Sequence, residues 1–172
     1  SHNKADVIKQ YGFRDTGRVA PVPYDNGGTV QYEDLMIFKT KIRGVRVLGL
    51  MNDTVFPRLR GRWSGDPSGY HGADNFKLRF ARALSLGALL ALREANIHPD
   101  VIQTNDWPSA YLKAYLEGRD RIAPALKDLK RDPHFRRTRV TSIFHNLHRD
   151  YQGWVYISND WKTKHLTDEQ TR

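Results

Sequence analysis

No cysteine occurs among the 172 residues, which excludes disulfide staples, thiolate metal sites and cysteine nucleophiles. Long apolar runs are missing too. The most apolar stretch, Ala81–Leu92, is broken by Arg82 and is too short to span a bilayer. The polar start Ser1-His2-Asn3-Lys4 has no apolar segment behind it, so no secretory leader is read and a cytoplasmic location with no membrane partner is expected. There is no G-x-S-x-G nucleophile elbow, no phosphate-cradling P-loop, no internal repeat and no low-complexity tract. The nearest approach to a metal cluster is His145, His148 and Asp150, which is not a strong ligand pattern. No metal and no cofactor are expected.

Acidic residues are the scarcer charge, 19 against 28 Lys and Arg, which leaves a net charge of +9. An excess of this sign suits nucleic acid, an acidic surface or a phosphate-bearing ligand. Much of it lies between Arg119 and Arg139, where Asp120, Asp128 and Asp132 partly offset the cations. Mixed-sign runs of this kind usually form a solvated surface. Hydrophobic residues make up 39%, enough to build a core, and the length suits one domain.

The patterning divides the chain into an irregular N-terminal segment over 1–29, a folded unit over 30–161 and a polar tail over 162–172. Val19-Ala20-Pro21-Val22-Pro23 followed by Asn26-Gly27-Gly28 reads as irregular chain ending in a turn. Thr29–Ile42 and Val45–Met51, separated by Arg43-Gly44, read as a β-hairpin. Residues Pro57–Gly72 form a long loop rich in Arg, Gly, Pro and Ser. Phe76, Phe80, Ala83, Leu84, Gly87, Leu90 and Ala91 recur at helical spacing behind an Asp74 N-cap, and Leu86, Leu89 and Leu92 widen the arc, which predicts a deeply packed helix. It ends across Asn96–Pro99. A short strand over Val101–Thr104 follows. Then come a helix from about Pro108 to Gly118, a second helical segment over Ile122–Lys130 ended by Pro133, and a strand over Arg139–Phe144. Strand, helix, strand predicts a βαβ unit with parallel strands, hence an α/β fold.

Ligands of open parallel sheets bind beyond the carboxyl ends of strands. Two predicted strands end in polar and aromatic clusters there: Asn105-Asp106-Trp107 and His145-Asn146. Amide and imidazole groups can hydrogen-bond sugar hydroxyls, and an aromatic ring can stack on a sugar face. Asp and Asn also favour such turns for purely local reasons, so a strand-end cap is an equal reading at this point.

The run Pro99-Asp100-Val101-Ile102-Gln103-Thr104-Asn105-Asp106-Trp107-Pro108-Ser109-Ala110-Tyr111 resembles a strand-end motif of glycogen and starch synthases. Tyr70-His71-Gly72-Ala73-Asp74-Asn75-Phe76-Lys77-Leu78-Arg79-Phe80 is similar to the segment that opens an apolar helix in that family. Ser142-Ile143-Phe144-His145-Asn146-Leu147, and then Tyr151-Gln152-Gly153, resemble its downstream motif, in the same order. The resemblance covers roughly residues 30–155 and implies a Rossmann-like parallel sheet flanked by helices with a β-hairpin, part of the N-terminal domain of a two-domain GT-B glycosyltransferase. It implies retaining transfer of glucose from ADP-glucose or UDP-glucose to an α-1,4-glucan or oligosaccharide acceptor. It places Asn105, Asp106, Trp107, His145 and Asn146 on the sugar-binding rim, Asp74, Asn75 and Arg79 at the start of the buried helix, and Gln152 and Gly153 near the acceptor path. Donor contacts in the family come largely from a C-terminal domain, so the chain by itself is expected to be inactive. Gln103 and Pro108 stand where the family often has His, or His or Gln. These departures motivate a second reading, a non-catalytic carbohydrate-binding domain of the same descent. The net charge motivates a third and weaker one, a basic nucleic-acid-binding domain.

Overall fold

The computed structural model describes residues 4–26, 29–52, 74–105, 109, 111–118, 126 and 129–143, with 4, 25, 26 and 74–79 described for their backbone alone. Helix α1 (Lys4–Tyr11) leads into strand β1 (Arg14–Asn26), which pairs antiparallel with β2 (Thr29–Ile42), and β2 pairs antiparallel with β3 (Val45–Met51). The predicted hairpin is therefore present with its predicted turn. Arg43 and Gly44 both have positive φ, 49° and 86°, the backbone of a two-residue turn whose twist matches the flanking strands.

The expectation of irregular chain over 1–29 is overturned by α1 and β1. Pro21 and Pro23 obscured the strand. Among the described residues β1 is an edge strand. Residues two apart in a strand direct their backbone groups to the same side, so both prolines turn their missing N–H away from β2. Ala20 and Val22, at the alternate positions, are buried. Pairing runs without a break from Arg18↔Ile37 to Asn26↔Thr29.

The buried side of this sheet carries Ala20, Val22, Leu35 and Ile37, and helix α2 (Asp74–Glu94) packs on it. The deep packing predicted for α2 is observed: Ala81, Ala83, Leu86, Leu89, Leu90 and Ala91 are all at most 2% exposed. A β-carbon at Gly87 would lie 2.5 Å from Leu35 Cδ1, so the missing side chain sets how closely α2 approaches β2. Arg82 is 2% exposed as well. Its Nε donates to the Pro23 carbonyl, which points to the outer edge of β1, and its guanidinium carbon lies 5.1 Å from the centroid of the Tyr115 ring. Helix α2 ends as predicted at Asn96, which has φ 54°. Asn96 N–H donates to Arg93 O (3.0 Å) and Ile97 N–H to Leu92 O (2.9 Å), a Schellman closure.

Five residues on, β4 (Val101–Asn105) begins, followed by the short helix α3 (Leu112–Leu116) and β5 (Arg139–Ile143). Helix α3 ends at Gly118 (φ 75°), whose N–H donates to Tyr115 O (3.0 Å). Strands β4 and β5 pair in parallel, so the predicted βαβ arrangement is present, while the larger sheet among the described residues is antiparallel. Of the expected helix over Ile122–Lys130, Leu126, Leu129 and Lys130 are described. Leu129 N–H donates to Leu126 O (3.3 Å) in a 3₁₀-type bond, and Leu129 and Lys130 lie in a turn. The basic segment is only partly the solvated surface expected of it. Arg131, Arg136 and Arg137 are exposed, but Leu129 and Phe135 between and beside them are core residues at 2% and 0% exposure. No helix among the described residues is long and apolar enough to cross a membrane.

The turn before β5 is joined to the end of α2 by a polar cluster. The rings of His98 and His134 stack 4.1 Å apart, and the Nε2 atoms of both approach Asn96 Oδ1, at 3.3 and 3.1 Å. Asp132 Oδ1 accepts from the His134 N–H (2.9 Å) and lies 2.8 Å from His134 Nδ1. Burial alone would raise the Asp132 pKa. The hydrogen bonds from His134, with the charges of His134 and Arg93, outweigh it and hold the carboxyl below its ordinary 3.8.

Two consequences can be measured. Gly87→Ala improves helix propensity by about 1 kcal/mol, but it forces a methyl into Leu35 at a site with no free volume, where overpacking costs about 1–3 kcal/mol. The expected outcome is a net loss in denaturant unfolding, and a gain would show that α2 can retreat from the sheet freely. A depressed carboxylate pKa stabilises the fold above its unfolded value and loses that contribution as pH falls through the folded one. Asp132→Asn should therefore be less stable than the parent at neutral pH, with the difference shrinking as the pH drops below 3.8. A difference that stays constant with pH would remove the ionic role of Asp132.

Candidate functional site

The parallel pair is locked in register at both ends. At the amino ends Arg139 N–H donates to Asp100 O (2.9 Å) and Thr138 Oγ1 to Pro99 O (2.6 Å). Lys130 Nζ donates to Thr138 O (2.6 Å). Toward the carboxyl ends, buried Thr104 donates its hydroxyl to Ser142 Oγ (2.8 Å) and contacts Thr141 O (3.3 Å). Thr104 aligns with Ser142, and Asn105 with Ile143. The two strands thus finish level.

Asn105 is the last residue of β4, one later than the predicted strand end, and it is exposed. Its N–H donates to Ser109 Oγ (2.8 Å), and the Ser109 hydroxyl donates back to Asn105 O (2.8 Å). One serine therefore satisfies both backbone groups of the strand's final residue. Tyr111, just before α3, is partly buried. Burial, with Tyr115 beside it, pushes its phenol up to about 12, so it stays protonated and neutral at physiological pH.

The other expected site residues are placed less fully. Asp74, Asn75 and Arg79 lie in the first turns of α2, as predicted, and their side chains are outside the described residues. Asp106, Trp107, His145, Asn146, Gln152 and Gly153 lie outside the described residues altogether, as do the Pro57–Gly72 loop and the 162–172 tail. Asp106 directly follows the end of β4, and His145 comes two residues after the end of β5. Thr104, Ser109 and Ser142 were not anticipated as parts of the rim. The signal for Ser109 was present: a serine four residues beyond a strand end, at the opening of a helix, is well placed to bond back to the strand. For Thr104–Ser142 the signal needed the strand register.

These parallel strands, joined through a helical crossover beside an antiparallel sheet, define an α/β protein whose β4 and β5 share one carboxyl edge. The sequence profile of the starch synthase catalytic domain matches residues 4–171. The chain belongs to that glycosyltransferase family. A glycogen synthase from Nitrosospira multiformis is 42% identical over 65 residues, a match covering 35% of this chain and 13% of that protein. The solved catalytic domain of starch synthase IV from Arabidopsis thaliana, bound to ADP and acarbose, superposes with a TM-score of 0.54 at 22% identity. That match covers 82% of this chain and 24% of the solved one, and it speaks for the fold. The chain therefore spans under a quarter of each of these relatives.

The Ser109 hydroxyl bonds both backbone groups of Asn105. Ser109→Ala should cost about 1 kcal/mol in global unfolding and speed amide hydrogen exchange at Asn105 severalfold. Unchanged exchange at Asn105 would mean that the serine does not hold the strand end.

Proposed function

We propose that this chain forms part of the acceptor-side, N-terminal Rossmann-like half of a GT-B α-glucan synthase. In this reading its strand-end rim holds glucose residues of an α-1,4-glucan. The observation that carries the reading is the level parallel pairing of β4 with β5. It supports bringing Asn105-Asp106-Trp107 and His145-Asn146, the two segments that most resemble the family, to one edge. Amide, carboxylate and imidazole groups there would bond sugar hydroxyls, and the Trp107 ring offers an apolar face for a sugar ring. Asp74, Asn75 and Arg79 would border this edge from the start of α2, with Gln152 and Gly153 beside the acceptor path.

In the complete reaction the acceptor's terminal 4-hydroxyl replaces the nucleoside diphosphate at C1 of ADP-glucose or UDP-glucose with retention of the α-configuration. The hydroxyl proton is lost as the diphosphate leaves. The rim's part is positioning, which converts a bimolecular encounter into an oriented one. Stabilising the departing diphosphate requires cations aimed at it, and in this reading these come from a second domain. The chain by itself should then bind glucan without transferring glucose.

Titration with maltoheptaose, followed by amide chemical shifts, tests this. Shifts should centre on Asn105 and Ser109, and Asn105→Ala should weaken binding by about 2- to 10-fold, the range set by one lost hydrogen bond. Shifts spread over the hairpin β2–β3 instead, or an affinity untouched by Asn105→Ala, would move the glucan site away from this rim.

A further inference from the structure

The antiparallel sheet extends past the end of α2, and there it forms a cleft of about 870 Å³. Four cations line it: Arg14, Lys39, Lys41 and Arg46. They are arranged as two like-charged pairs, Arg14 directly opposite Lys39 and Lys41 directly opposite Arg46. Lys39 and Lys41 are two residues apart in β2, so all four side chains leave the same face of the sheet. The floor between them and the helix is apolar, made by Leu48 from β3 with Leu92 and Ile97 from the end of α2.

Nothing in the fold requires this arrangement. Like charges directly opposite in a sheet are destabilising. Among the described residues no carboxylate lines the cleft, and none of the four cations is in an ion pair. The end of α2 does not need them as caps, because the carbonyls of Ala91, Leu92 and Arg93 already accept from Ala95, Ile97 and Asn96. The helix dipole offers roughly half an elementary charge, far too little to balance four.

We infer that this cleft binds a small bisphosphorylated metabolite, a sugar-sized body carrying two phosphoryl groups. Successive same-face positions of β2 separate the two cation pairs by about 7 Å, a spacing suited to phosphates at the two ends of such a body. Each phosphate meets one pair, which turns repulsion within the pair into shared attraction. The apolar floor meets the carbon skeleton between them. The site is distinct from the carboxyl rim of β4 and β5. The connection from α2 to the start of β4 puts the cleft toward the opposite, amino end of those strands, so the inference does not depend on glucan binding.

Calorimetric titration of the full chain with fructose 1,6-bisphosphate tests it, with fructose and inorganic sulfate as controls. The expected result is one saturable site that neither control fills at equal concentration. Lys39→Gln/Lys41→Gln should weaken it at least tenfold while melting at the same temperature as the parent or higher, since repulsion is relieved. Arg46→Gln alone should show the same pattern in smaller degree. Arg136→Gln/Arg137→Gln, in the exposed turn before β5, should leave affinity within twofold. No saturable binding would overturn the inference, as would sulfate binding equally well or the turn variant losing as much as the cleft variant. A lower melting temperature for both cleft variants would assign the cations a structural role and overturn it too.

Discussion

Arg82 is the contact on which the arrangement of the other elements depends. A guanidinium cannot shed its charge, so burying it at 2% exposure is costly unless its surroundings compensate. Two of the groups that compensate belong to different parts of the chain: the Pro23 carbonyl at the edge of β1 and the face of Tyr115 in α3. One side chain in the middle of an apolar helix thus ties the hairpin sheet to the crossover helix. Moving any of the three elements strands either the charge or the carbonyl. The close approach of α2 at Gly87, against Leu35 and Val22, holds the helix near enough to the sheet for this contact.

The strand ends are supported by the same core. The register of β4 and β5 is set by hydrogen bonds at their amino ends and by Thr104–Ser142 near their carboxyl ends. Ile102 and Val140, one from each strand, pack on the same core that holds α2 and α3. A strand end supported in this way positions its last residue more tightly than a loop would. Asn105 therefore presents itself from a fixed backbone, with Ser109 closing the chain behind it.

Much of this was legible in the residues. The hairpin was marked by Arg43-Gly44 between two β-rich runs. The helix was marked by its apolar period, and the parallel pair by strand, helix and strand in succession. What stayed hidden had physical causes. The prolines of β1 mimic a loop because local preference carries no information about whether a strand lies at an edge. Phe135 lies amid Arg131, Arg136 and Arg137, so composition reads as surface, yet one aromatic side chain is enough to anchor a turn in the core. The Asn96, His98, Asp132 and His134 cluster joins residues more than thirty positions apart, and no local pattern announces it. At the candidate site the resemblance named the residues. Register then made Asn105, the strand ends and the Thr104–Ser142 pair intelligible, whereas the place of Ser109 could have been read from its spacing beyond the strand.

The two prolines of β1 have one more effect. An edge strand is a standing template for another chain, because its outward N–H and C=O groups invite a further strand to pair and so seed aggregation. Here the outward positions at 21 and 23 carry no N–H, and the outward carbonyl of Pro23 is already taken by Arg82. A foreign strand approaching this stretch would find two donors missing and one acceptor occupied. Among the described residues, then, the prolines that made β1 hard to see in the sequence also leave its outer side poorly suited to accept another strand.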